Sequence, residues 1–159
     1  MSVPKSQRSK SRLEVHVRLR RLVAHTLNKT RNGHKFGSCA TYVIARDERG
    51  LVASIEEHRT SSRKALAERI EESALLAGEC AWRANDVRVA SRADYELRHG
   101  LQQESIRHLD ALSWLVECTR ECCGLSGREV AYWSDLVREA RGLVRKWRDA
   151  DARRYRDVG

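Results

Sequence analysis

Residues 124–151 read GLSGREVAYWSDLVREARGLVRKWRDAD, and this stretch decides the fold. Ser126 followed by Glu129 fits a capping box, in which each side chain satisfies a backbone N–H of the other residue. Leu125 and Val130 stand at the two staple positions around that cap. Beyond it, Val130, Trp133, Val137, Ala140, Val144 and Trp147 recur at steps of three and four, widened by Leu136 and Leu143. That period places them on one stripe of a helix. The opposite face carries Arg128, Arg138, Arg141, Arg145, Lys146 and Arg148. A helix from this cap to about Arg154 is roughly 40 Å long at about 1.5 Å per residue. So long a helix, apolar on one stripe only, packs along other helices of similar length.

The chain has 159 residues, 33% of them charged, and a single proline. One domain is the default at this length, and there is enough chain for a real core. No run of about 18 apolar residues exists, so no membrane span is expected. The start, MSVPKSQRSKSR, is polar and basic with no apolar segment, which predicts a cytoplasmic protein rather than a secreted one. The five cysteines are Cys39, Cys80, Cys118, Cys122 and Cys123. Their odd count and irregular spacing favour reduced thiols over a disulfide framework. Cys118 and Cys122 lie one helical turn apart, but no second pair or nearby His at ligand spacing completes a metal site.

The charge is unevenly placed. Residues 1–36 hold Lys5, Arg8, Lys10, Arg12, Arg18, Arg20, Arg21, Lys29, Arg31 and Lys35 against one acid, Glu14. The rest of the chain balances at 21 cations and 21 acids, so the whole excess of +9 lies in the first quarter. Such asymmetry points to a polyanion, nucleic acid before an anionic membrane; a solvated basic helix is the plain alternative.

Residues 1–12 read as a flexible basic arm. Helix one is expected from Leu13 to about Thr30, with Val15, Leu19, Leu22 and Thr26 on one face, and NKTRNGHKFG as its exit loop. CATYVIA and LVASI are short runs rich in β-branched residues, separated by RDERG. They predict a β-hairpin insertion over residues 37–60. Helix two follows from SSRKALAERI, with Leu66, Ile70, Ala74, Ala77, Ala81 and Ala84 forming a narrow face that allows close approach. Ser91 and Asp94 offer a cap for helix three, whose apolar positions are Leu97, Leu101, Ile106, Leu109, Leu112, Leu115 and Val116. Gly100 weakens that helix by about 1 kcal/mol relative to Ala. Short connections make helices two, three and four antiparallel neighbours. The expected fold is all-α: an antiparallel up-down four-helix bundle over residues 13–156, with the hairpin inserted between helices one and two.

Catalytic signatures are missing. There is no phosphate-binding glycine loop, no HExxH and no CxxC pair. Glu56, Glu57 and His58 are adjacent and Glu71 neighbours Glu72, but paired carboxylates on a helix are usually a solvated face. The histidines are scattered, with His108 near the core stripe. Trp82, Trp114, Trp133 and Trp147 could stack on bases, yet their helical spacing predicts core packing. No catalytic residue, metal ligand or cofactor is therefore assigned. The nucleic-acid candidates are the ten N-terminal cations together with Arg138, Arg141, Arg145 and Arg148.

Three stretches carry a resemblance. They are LAERIEESALLAGECAWRAN (66–85), LDALSWLVECTRECCGLSGREVAYWSDLVREARGLVRKW (109–147) and, less specifically, LRRLVAHTLNKTRNGHKF (19–36). In this order they resemble the four-helix-bundle family of proteins encoded in ribosomal-RNA intervening sequences. That family includes the accessory variability determinants of diversity-generating retroelements. The resemblance implies a cationic bundle that assembles as a homo-oligomeric ring, a pentamer in the retroelement members. It implies RNA or other nucleic acid and a reverse transcriptase as partners, without enzymatic activity. The expected function is a non-enzymatic RNA-binding accessory protein. The rival is a protein–protein adaptor or inhibitor with no nucleic-acid role.

Overall fold

The computed structural model describes residues 5–32, 35–36 and 51–159, with side chains for 14–31, 35–36 and 62–159. Four helices account for nearly all of them: α1 (Lys5–Asn32), α2 (Leu51–Asp86), α3 (Arg92–Cys123) and α4 (Gly127–Arg154). No strand occurs among the described residues.

Both predicted caps form. Ser126 accepts from the Glu129 amide while Glu129 accepts from the Ser126 amide, and Ser91 and Asp94 do the same ahead of α3. Each reciprocal pair satisfies two N–H groups that a helix start leaves without partners. The N–H of Arg92 finds the Gly159 carbonyl at 2.8 Å, so the last residue closes over the start of α3. Gly124 ends α3 with φ 64°, a left-handed conformation that costs glycine no steric strain. It turns the chain into α4 within three residues.

The helices form a closed cycle in which each packs against two others. Residues paired across each seam count in opposite directions. Arg31 meets Glu71 while His16 meets Trp82. Arg63 meets Cys122 while Ser105 meets Ala77. Ser134 meets Glu117 while Asp151 meets Gln102. Lys29 meets Glu129 while Arg18 meets Glu139. Every neighbouring pair is therefore antiparallel, and the topology is an up-down bundle.

The core follows the expected stripes. Val130, Trp133, Val137, Ala140, Val144 and Trp147 are all buried, as are Val15, Leu19, Leu22 and Thr26 of α1. Ala74, Ala77, Ala81 and Ala84 have no exposed surface. Their small size lets α3 approach closely enough for the Ser105 hydroxyl to donate to the Ala77 carbonyl at 2.8 Å. Most polar groups that enter this core have partners, although Trp147 Nε1, Gln102 Oε1 and Arg98 Nη2 are buried without a hydrogen bond. The Trp133 indole N–H donates to Thr26 Oγ1 at 3.1 Å. Asp151 accepts from Arg98 Nε at 2.7 Å and from Gln102 Nε2 at 2.9 Å, and Arg98 Nη1 reaches the Val87 carbonyl.

Four expectations need correction. Residues 51–57, read as the second hairpin strand, are the first two turns of α2, which starts about ten residues earlier than predicted. Leu51 and Ile55 stand one helical turn apart, and the next 22 residues contain neither glycine nor proline, so nothing stops a helix once begun. The other half of the expected hairpin, with Cys39, lies outside the described residues. The basic arm is helical from Lys5. The eight residues that follow Pro4 are Lys, Ser, Gln and Arg, and three of these four types are good helix formers. Gly100 does not interrupt α3, because it lies on the outer face while Arg98, Gln102, Ser105 and Ile106 around it are buried in the bundle. Finally, Trp82, Trp114 and Leu97 are 59%, 68% and 56% exposed, whereas Trp133 and Trp147 are core residues. Trp82 directly follows Ala81, so it points about 100° away from the buried alanine stripe.

Candidate nucleic-acid interface

α1 has two flanks that meet different helices. On the α4 side, Arg18 pairs with Glu139 at 3.3 Å and Arg21 donates to the Tyr132 hydroxyl at 3.2 Å. On the α2 side, Arg20 lines a groove with Leu75, Glu79 and Trp82. Two residues along a helix are about 200° apart, so the cluster Arg18, Arg20 and Arg21, close in sequence, is divided between two surfaces.

Several candidate cations are held by acids of the bundle. Lys29 pairs with Glu129 at 2.6 Å and Lys35 with the same carboxylate at 3.3 Å. Lys29 first, then the Ser126 amide and hydroxyl, hold the Glu129 carboxyl far below the usual carboxylate range. Arg31 reaches Glu71 at 3.0 Å, and the Thr30 hydroxyl donates to the same group at 2.6 Å. Burial alone would raise the Glu71 carboxyl, but these hydrogen bonds outweigh it and hold it low. Glu71 is thus engaged with α1, and Glu72 pairs with Arg69. The two carboxylates face different partners.

On α4, Arg138 pairs with Asp135, Arg141 with Asp110, and Arg148 with both Asp149 and Gln103. Arg145 and Lys146 have no acidic partner among the described residues, and both are exposed. Arg18 of α1 and Arg138 and Lys146 of α4 line one shallow depression of about 270 Å³, together with Glu14, Glu139, Gly142 and Leu143. Residues more than a hundred positions apart are thereby placed on one face. The Arg138 side chain is 76% exposed and its pair with Asp135 is a surface pair, which yields readily to a phosphate.

The structure therefore sorts the predicted site. Arg145 is exposed one turn from Arg141 and Arg148, which meet α3, whereas Arg18, Arg21 and Arg138 stand on or beside the α1/α4 seam. Lys146 belongs with them; it was visible on the charged face of the helix but could not be distinguished there from its neighbours. Arg20 lies elsewhere, and Lys29, Arg31, Lys35, Arg141 and Arg148 serve as ties within the bundle. Lys5, Arg8, Lys10 and Arg12 fall on the first turns of α1, with side chains outside the described residues.

Two histidines border the seams. His25 stands edge-on between Tyr132 and Trp133 at 5.2 and 5.6 Å. Burial, then Lys29 and Arg21, hold its imidazole below its ordinary value. Burial and Arg20 do the same to His16, against a weaker opposing pull from Asp86. Cys123 is buried and its thiol is raised by that burial, the reverse of the environment that makes a cysteine reactive. No group of three or more His, Cys, Asp or Glu residues spaced for a metal occurs among the described residues. No helix among them is long and apolar enough to cross a membrane. Comparisons with family models, with curated proteins and with solved structures return no match.

Proposed function

We propose that this chain is a non-enzymatic, cytoplasmic RNA-binding accessory protein that acts with a reverse transcriptase and assembles as a homo-oligomer. The observation supporting nucleic-acid binding is the convergence of Arg18, Arg21, Arg138 and Lys146 on the α1/α4 seam. Two helices present these cations, so no backbone ordering is required when a phosphate backbone is bound. Arginine and lysine neutralise phosphates and release counterions, which gives affinity with little sequence readout. The polymerase partner and the ring, a pentamer in the retroelement members, rest on the family resemblance.

The experiment is RNA affinity across a salt series for wild type and for Arg18→Gln/Arg138→Gln/Lys146→Gln. Each lost phosphate contact should lower the slope of log K against log salt by roughly 0.7 to 0.9. A second variant, Lys5→Gln/Arg8→Gln/Lys10→Gln/Arg12→Gln, measures the share of the first turns of α1. If both bind RNA as wild type does, with the same slope, the chain does not bind nucleic acid through these residues. Light scattering tests the oligomer, and co-purification with a reverse transcriptase encoded beside this gene tests the partner.

The second reading, a protein adaptor, is favoured by one specific observation: an open apolar groove on the α1/α2 seam.

A further inference from the structure

The α1/α2 seam does not close along its whole length. Between Leu19, Val23 and Leu27 of α1 and Leu75, Gly78 and Trp82 of α2 lies a groove of about 610 Å³. It is open to solvent, with Leu75 46% and Trp82 59% exposed at its rim. Trp82 is not loose. His16 meets its ring in a T-shaped contact at 5.7 Å, while 59% of the residue remains exposed.

We infer that this groove is a docking site for an amphipathic helix of a protein partner, with its apolar stripe on Leu75 and Trp82 and an acidic flank along α1. The shape argues for a helix. Both walls are antiparallel helices that contribute side chains at three- and four-residue steps. The α1 wall, from His16 to Leu27, runs about 16 Å, or three helical turns. Ridges at that spacing receive the ridge of a third helix. An exposed tryptophan flanking an apolar groove is a residue type enriched among binding anchors.

The charge argues for the acidic flank. Arg20 lines the α1 wall, is exposed and has no acidic partner among the described residues. Its charge depresses His16 on the same wall. On the α2 wall, Glu79 and Glu72 have local partners in Arg83 at 3.9 Å and Arg69 at 2.5 Å. The groove therefore keeps an unbalanced positive edge on α1 alone. A nucleic acid is disfavoured, because the groove is lined mainly by apolar side chains and offers a single cation, Arg20. This surface is separate from the α1/α4 seam, so the inference does not rest on RNA binding.

The test uses the full chain and two synthetic helical peptides of about 14 residues with the same Leu/Ala stripe. One carries Glu flanks and the other Lys flanks, and each is fluorescein-labelled for anisotropy. The Glu peptide should bind more tightly, by about fivefold per the worth of exposed pairs. Arg20→Glu should reverse that preference. Leu75→Glu and Trp82→Ser should each weaken binding by about tenfold or more, as loss of an anchor does. Melting of these surface variants should match wild type. Equal binding of both peptides, or binding untouched by Leu75→Glu, overturns the inference. Displacement of the peptide by oligouridine overturns it in favour of nucleic acid. A lower sedimentation mass for Leu75→Glu overturns it in favour of a second copy of the chain.

Discussion

Asp151 and Arg98 form an ion pair with side chains only 2% and 3% exposed, at the end of the bundle where α3 begins and α4 finishes. Consider Asp151→Leu. The substitution leaves the Arg98 guanidinium buried without its counter-charge, and strands Gln102 Nε2 as well. Breaking a buried pair in this way costs about 3–5 kcal/mol, because an uncompensated charge remains. For a chain of this length, about 2–4 °C of melting temperature is lost per kcal/mol, so the midpoint should fall by roughly 6–20 °C. The double variant Arg98→Met/Asp151→Leu removes both charges at once. It should recover most of that loss, since apolar groups replace buried pairs at little or no net cost. Thermal and urea unfolding followed by circular dichroism at a helix wavelength measures both. A loss under about 1 kcal/mol for Asp151→Leu, or a double variant no better than the single, refutes the assignment of a dry, tightly coupled pair.

Trp133→Asp should unfold or dissociate the bundle, costing about 5 kcal/mol or more, because it replaces a residue with no exposed surface by an unpaired charge; unchanged melting and unchanged oligomer mass would contradict this. Stability should fall as pH drops below about 6.5, since His16 and His25 are both held under that ordinary value and the folded chain then binds fewer protons than the unfolded one. Urea midpoints at pH 7.5 and 5.5 test this, and His16→Gln/His25→Gln should flatten the fall. Glu129 acts lower on the scale: its depressed carboxyl supplies stability present above about 4.5 and lost as pH falls further. Glu129→Ala should cost about 1 kcal/mol at neutral pH through the lost half of the capping box, with smaller additions from the two lysine pairs; an unchanged urea midpoint would show that the cap contributes nothing.

The second half of the chain was legible because its signals are local. Both capping boxes and the stripe from Val130 to Trp147 are each set by residues a few positions apart, and each forms as read. The start of α2 was not legible. LVASI carries β-branched residues in a short run, and such a run fits a strand and a helix equally until its length is known. The tryptophans were misjudged as a group, although the alanine stripe alone places Trp82 off the buried face. Arg18 and Arg138 could be named as cations from sequence. Their meeting across α1 and α4 could not, since it depends on which helices become neighbours.

Two polar ties stand near opposite ends of α4: Glu129 with Lys29 and Lys35, and Asp151 with Arg98 and Gln102. They lie 22 residues apart, about 33 Å along the axis. Between them the core is apolar apart from the buried Trp133–Thr26 bond, the other polar pairs lie at or near the surface, and an apolar stripe tolerates sliding by one turn, about 5.4 Å, with modest loss. The two ties do not tolerate it. A shifted α4 would lose its anchors to α1 and to α3 together. They act as index pins at the two ends of a smooth shaft, giving this bundle a single helical alignment that its greasy middle would not select unaided.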